Sequence, residues 1–220
     1  MTEAKTHVDP PWLEALIVLS LSVAALTTTW STYQAALWDG EQAANYSRAN
    51  GLRIEASKAS ARADILEAVD LAIFSGWLDA KAAGQTKLED FYYARFRPEF
   101  RTAFKAWDDL HPLTNPDAPQ GPFVMKEYKL PERVKADTLA AKAEAVFEQG
   151  QRDNDIGDIY VQATVILASA LFFGGICQTF KKPRVRMSLA LLSVGACIFG
   201  VIRTLTLPAI PPQVMWGFFG

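Results

Sequence analysis

The chain has 220 residues, half of them hydrophobic, and a formal net charge of −2. Those totals fit one or two ordinary globular domains. The distribution excludes that class: Ala15 to Trp38 carries no charge for 24 residues, Ile159 to Phe180 none for 22, and Met187 to Ile202 none for 16.

A bilayer core about 30 Å thick needs roughly 20 apolar residues in a helix. The first run predicts a transmembrane helix over 12–32, after a short cytoplasmic segment over 1–11. Its apolar stretch is longer than a signal-peptide core and only Lys5 precedes it, which predicts an uncleaved anchor. Residues 33–158 then form a hydrophilic segment with 16 Lys/Arg and 21 Asp/Glu. Its first part, "EQAANYSRANGLRIEASKASARADILEAVDLAIFSGWLDAKAAG", consists almost wholly of good helix formers. Asp39 with Gln42 reads as a capped helix start and Gly84 as a stop. Thr86 with Glu89 reads as a capping box for the next helix. Pro98 should break that helix near Arg97, and the proline-rich "HPLTNPDAPQGPF" ends helix near Leu110. Pro131 suits a first helical turn. From there Ala136, Leu139, Ala143, Val146 and Gly150 repeat in steps of three and four, a short coiled-coil seam.

The second and third runs predict transmembrane helices over 159–180 and 187–208, the latter with Arg203 near one end. The link between them, 181–186, is "KKPRVR". Lys181, Lys182, Arg184 and Arg186 keep so short a loop in the cytoplasm. Residues 33–158 and the tail 209–220 then lie outside it. Trp12, Trp30, Trp38, Tyr160 and Trp216 fall near helix ends, where aromatic belts form. The expected fold is all-α, with three transmembrane helices and an extracytoplasmic, coiled-coil-like helical domain. Cys177 and Cys197 both sit in the apolar runs, so the outer segment has no disulfide and is held by packing.

The stretches "PWLEALIVLSLSVAALTTTWSTYQAALWDGEQAANY" and "FYYARFRPEF…AF…W…HPLTNPDAP", with the paired C-terminal spans, resemble a family of bacterial membrane proteins of the domain-of-unknown-function type. Its layout is one span, a helical segment and two further spans. The resemblance covers nearly the whole chain. It implies a bacterial inner membrane and brings no activity, cofactor or catalytic residue.

The residues offer little chemistry of their own. His7 and His111 fall on opposite predicted sides, and with no cysteine beside them a His/Cys metal site lacks ligands. His111 has no evident partner for a nucleophile triad, and no glycine-rich phosphate loop is present. "DNDIGD" (Asp153, Asp155, Asp158) departs from the EF-hand spacing and reads as an acidic stretch at the membrane surface. No cofactor, metal or enzymatic activity is expected. In "YYARFRPEFRTAFKAW", Phe96, Phe100 and Phe104 form one helical stripe and Arg97, Arg101 and Lys105 the next. This is an amphipathic helix whose cationic stripe is a candidate face for lipid or a partner; nucleic acid is not expected outside the cytoplasm. Thr27, Thr28, Thr29, Asp158, Gln162 and Arg203 share one depth and form a candidate intramembrane polar cluster. The pairs Ala170/Gly174 and Ala196/Gly200 suggest self-association or docking to a larger membrane complex. The expected role is a non-catalytic, oligomeric scaffold, sensor or accessory subunit, with a homo-oligomeric ion or small-solute channel as the alternative.

Overall fold

The computed structural model describes residues 11–211; the expectations for residues 1–10 and for Trp216 lie outside them. Among the described residues the chain is all-α: α1 Pro11–Ala82, α2 Thr86–Tyr93, α3 Pro98–Asp108, α4 Pro131–Cys177 and α5 Pro183–Thr206, with a short 3-10 turn at Pro122–Val124 and no strand. Helices α1, α4 and α5 are long and apolar enough to cross a membrane, which makes the chain a plausible multi-pass membrane protein. α1 runs without interruption through Asp39 and Gln42, so the capped start expected there does not exist. A single Gly40 costs a helix only about 1 kcal/mol, too little to end one among alanines.

The chain divides into two compact units: residues up to 46 together with those from 147 on, and residues 47–146 between them. In the first unit, Leu13 and Ile17 of α1 meet Cys177 of α4 and Ala190 of α5 in one layer. Ala24, Leu167, Ala170 and Cys197 form the next. The contacts are close because the residues are small. A Cβ on Gly174 would stand 2.6 Å from Leu21 and 2.8 Å from the Ser193 hydroxyl; one on Gly200 would stand 2.7 Å from Leu167. The Ala170/Gly174 pair and Gly200 are therefore occupied by packing inside the chain. Side chains also bond across helices: Ser193 Oγ donates to the Ala170 carbonyl at 2.8 Å, and Cys197 Sγ to that of Ser20 at 3.4 Å. Only about a quarter of the residues in the apolar stretches of α1, α4 and α5 are buried within the chain. The turn between α4 and α5 covers residues 178–182, earlier than the expected 181–186. Pro183 takes the first helical position, where its missing N–H is no loss, and Arg184 and Arg186 fall in the first turn of α5.

In the 47–146 unit, Gly84 ends α1 as expected, with φ of +68° in the left-handed region that glycine adopts freely. The Thr86 capping box does not form. Gln85 holds the cap position without a side-chain bond, and the Glu89 carboxylate turns back to Lys81 Nζ at 2.7 Å. Pro98 opens α3 with Arg97 extended before it, the break the sequence predicts. Phe74, Trp77, Phe96, Phe100, Phe104 and Trp107 form an aromatic core, and Phe100 is fully buried. Gly76 admits the Tyr92 ring, which would lie 2.5 Å from any Cβ there. α1 and α4 run antiparallel in this unit: Arg53 pairs with Glu144, and Arg133 with Ser60 and Asp64. Between them lie buried alanines, Ala49, Ala56, Ala59 and Ala63 on α1 and Ala136 and Ala143 on α4. Of the predicted seam, Ala136, Ala143 and Gly150 are buried while Leu139 and Val146 are half-buried.

Candidate functional site

Among the described residues no hydrogen bond or ion pair joins the members of the expected intramembrane cluster to one another. Thr28 and Thr29 donate to the carbonyls of Ala24 and Ala25 one turn back on their own helix. Thr27 is half-buried, and Asp158 and Gln162 are exposed. Asp158 accepts from Asn154 at 3.2 Å. The Arg203 side chain is half-buried and has no hydrogen-bond or ion-pair partner among the described residues; only its carbonyl is used, by Thr206.

A different polar network ties the same end of this unit. Gln34, fully buried on α1, donates to the Ile210 carbonyl and accepts from the Ile210 N–H, both at 2.8 Å. Trp38 Nε1 and Tyr160 Oη both donate to the Pro208 carbonyl, and Ser31 Oγ donates to that of Tyr160. The segment after α5 has no helical partners for its backbone, and these side chains supply them. Further along, Asp153 is 2% exposed and accepts from Asn45 at 2.7 Å and Gln149 at 2.8 Å. Of the acidic stretch, Asp153 turns inward while Asp155 and Asp158 face solvent.

In the 47–146 unit, Asp70 is 1% exposed. Arg97 grips it with both arms of the guanidinium, Nε to Oδ1 at 2.9 Å and Nη2 to Oδ2 at 2.6 Å, and Tyr128 Oη donates to Oδ2 at 2.9 Å. Such a fork is the strong form of a carboxylate pair. The Asp70 bond holds the Arg97 guanidinium above its ordinary pKa against the opposing effect of burial. Burial, then the Asp70 bond, pushes the Tyr128 phenol well above its ordinary value. Asp70 does not stand out in the sequence as a site residue. The available signal was its spacing, seven residues from Ala63 and seven from Trp77, on the buried stripe of α1.

Arg97 thus leaves the cationic face, while Arg101 and Lys105 stay on it. Both line a cleft of about 500 Å³ with Tyr93, Pro98, Asp109 and Glu127. Arg101 donates to the Phe96 carbonyl at 3.2 Å, and its guanidinium lies 5.5 Å from the centre of the Tyr93 ring. Arg95 stacks 3.3 Å over Phe91, and both rings are well exposed, Phe91 at 47% and Tyr93 at 40%. A second cleft of about 430 Å³ shares Tyr93, Lys105 and Asp109. Exposed aromatics backed by arginine, with carboxylates at the rim, suit recognition of another surface. Among the described residues no group of three or more His, Cys, Asp or Glu is placed to hold a metal ion. No protein-family model, curated protein or solved structure matches the chain.

Proposed function

We propose that this is a non-catalytic protein of a bacterial inner membrane, a scaffold, sensor or accessory subunit that meets its partner through the helical unit outside the cytoplasm. The observation that carries this reading is the α2–α3 face: Arg101, Lys105 and Tyr93 line an open cleft. The buried carboxylate beneath is fully engaged by Arg97 and Tyr128, so that interior stabilises structure and the outer face is left to bind. The basic turn supports the orientation, since short cationic loops remain cytoplasmic. The sequence resemblance to three-span bacterial proteins agrees with it.

Native mass spectrometry of the protein from its own membrane, at native abundance, tests the role. The expected result is a complex that Lys105→Glu, at a side chain exposed on the cleft, releases without lowering the melting temperature. A bare monomer from the unaltered protein rejects the role, and ion flux through liposomes of the purified protein replaces it with the channel. Orientation is read from Asn115→Cys and Arg184→Cys with an impermeant maleimide on intact cells. Position 115 is expected to label and 184 to stay protected; the opposite pattern inverts the topology.

A further inference from the structure

Three helices wall the cleft of about 430 Å³ in the 47–146 unit: α1 with Trp77 and Lys81, α2 with Glu89 and Asp90, and α3 with Lys105 and Asp108, with Asp109 just beyond it. Two observations single it out. Trp77 is 4% exposed, and its indole N–H, a donor only, has no acceptor among the described residues. A buried donor without a protein acceptor is costly and calls for a partner from outside the chain. The charges are the second observation. Lys81 is spent on Glu89 at 2.7 Å and lies 5.7 Å from the centre of the Trp77 ring, so ring and carboxylate already hold one ammonium here. Asp108 adds to the field on Lys81 without pairing with it. Lys105, Asp90, Asp108 and Asp109 are exposed and make no side-chain hydrogen bond or ion pair among the described residues. Three carboxylates therefore face one ammonium and one neutral donor inside a cleft, where charges of one sign reinforce one another.

We infer that this cleft binds a free α-amino acid with a cationic side chain. Its carboxylate accepts from the Trp77 N–H and pairs with Lys105, and its two cationic groups meet Asp90, Asp108 and Asp109. Charge-assisted bonds of this kind are the strong ones. A simple anion would meet three carboxylates, and a simple cation would leave Lys105 and the indole donor unanswered. The inference supplies a ligand for the sensor role and rests on this face being a binding surface. Ligand binding is read on the purified protein and the partner complex on the native membrane, so either can fail while the other stands.

The test titrates the full-length protein in detergent, by calorimetry, with L-arginine, with agmatine, which lacks the carboxylate, and with L-citrulline, which lacks the side-chain charge. Saturable binding of L-arginine is expected, with each analogue about tenfold weaker, the scale of one hydrogen bond to a charged group. Trp77→Phe keeps a ring in the core and removes the donor, and should also weaken binding about tenfold. Lys105→Gln and Asp108→Asn change exposed side chains and should each weaken it about fivefold, which keeps the site testable if Trp77→Phe fails to fold. No binding at millimolar L-arginine overturns the proposal, as does agmatine or citrulline bound as tightly, or binding that none of the three substitutions changes. N-acetyl-L-arginine bound as well as L-arginine assigns the cleft to the C-terminus of a partner chain and overturns the free amino acid.

Discussion

The two units hold helices together by different means. In residues 47–146 the centre is six large rings and a buried ion pair. In the other unit Leu13, Ile17, Leu167 and Tyr160 are buried among alanine, glycine and cysteine, with serine and cysteine side chains bonded to carbonyls on neighbouring helices. The contrast follows from the solvent each would face. Water drives burial at about 25 cal/mol per Å² of apolar area, which favours large side chains. Lipid tails are as apolar as leucine, so burying a ring there gains little. Close approach and hydrogen bonds across helices remain the available forces.

The sharpest way to break the comparison is Asp70→Ala. It leaves the Arg97 guanidinium and the Tyr128 hydroxyl without their acceptor, and stranding one partner of a buried pair costs about 3–5 kcal/mol. Denaturant unfolding followed by the fluorescence of Trp77 and Trp107, both in that core, reads it directly. A loss under about 1 kcal/mol would make the pair a surface-like contact and remove half of the contrast. Gly174→Val probes the other unit. Overpacking of a close helix contact should cost about 1–3 kcal/mol, whereas Gly175→Val, with nothing within 4 Å of its Cβ position, should leave the melting temperature unchanged. Equal effects at the two positions would show that small residues are not what holds α4 to its neighbours.

Tyr128→Phe should cost about 1 kcal/mol, a single hydrogen bond, and should also change the alkaline limb. The folded phenol titrates above its unfolded value near 10, so its contribution is complete below about pH 10 and is lost as pH rises further. The melting temperature of the unaltered protein should therefore fall more steeply above that pH than that of Tyr128→Phe; parallel curves would show that the phenol is not perturbed. The smallest effect is expected at Arg203. With no partner among the described residues, Arg203→Gln should shift stability by less than about 0.5 kcal/mol and add simply to Asp158→Ala. A larger, non-additive loss would restore an ionic lock between them.

The sequence was most legible where a local residue decides the outcome. Gly84, Pro98 and Pro131 mark element boundaries because their backbone restrictions act within a residue or two. The inward turn of Phe100 and Phe104 was likewise legible, since helical period aligns them, whereas Phe96 joins them from the turn before α3 rather than from one helical stripe. Arg97 was misplaced on the outer stripe because its position is set by Asp70, 27 residues earlier, and no local pattern encodes that. The small residues of α4 and α5 were visible but not their partners: Leu21 and Ser193 fill the space beside Gly174, and that pairing depends on how three separate helices meet. Arg203 is conspicuous in sequence as a lone charge, while Gln34, an ordinary amide, makes bonds that hold the chain beyond α5.

Those Gln34 bonds bear on the order in which the chain is made. They join residues 176 positions apart, and Trp38 reaches Pro208 across 170, whereas the aromatic core and its ion pair lie wholly within residues 47–146. On a ribosome, which delivers the N-terminal part first, the inner segment is complete while half of its host is still missing. Its core can close on contacts of modest separation, and such topologies fold fast. The first unit has to keep α1 waiting, its small-residue face uncovered, until α4 and then α5 arrive. The seating of Pro208 and Ile210 onto Gln34, Trp38 and Tyr160 then follows the arrival of α5. A ribosome stalled before residue 207 should expose a protease-resistant inner segment flanked by an α1 still accessible to cross-linking.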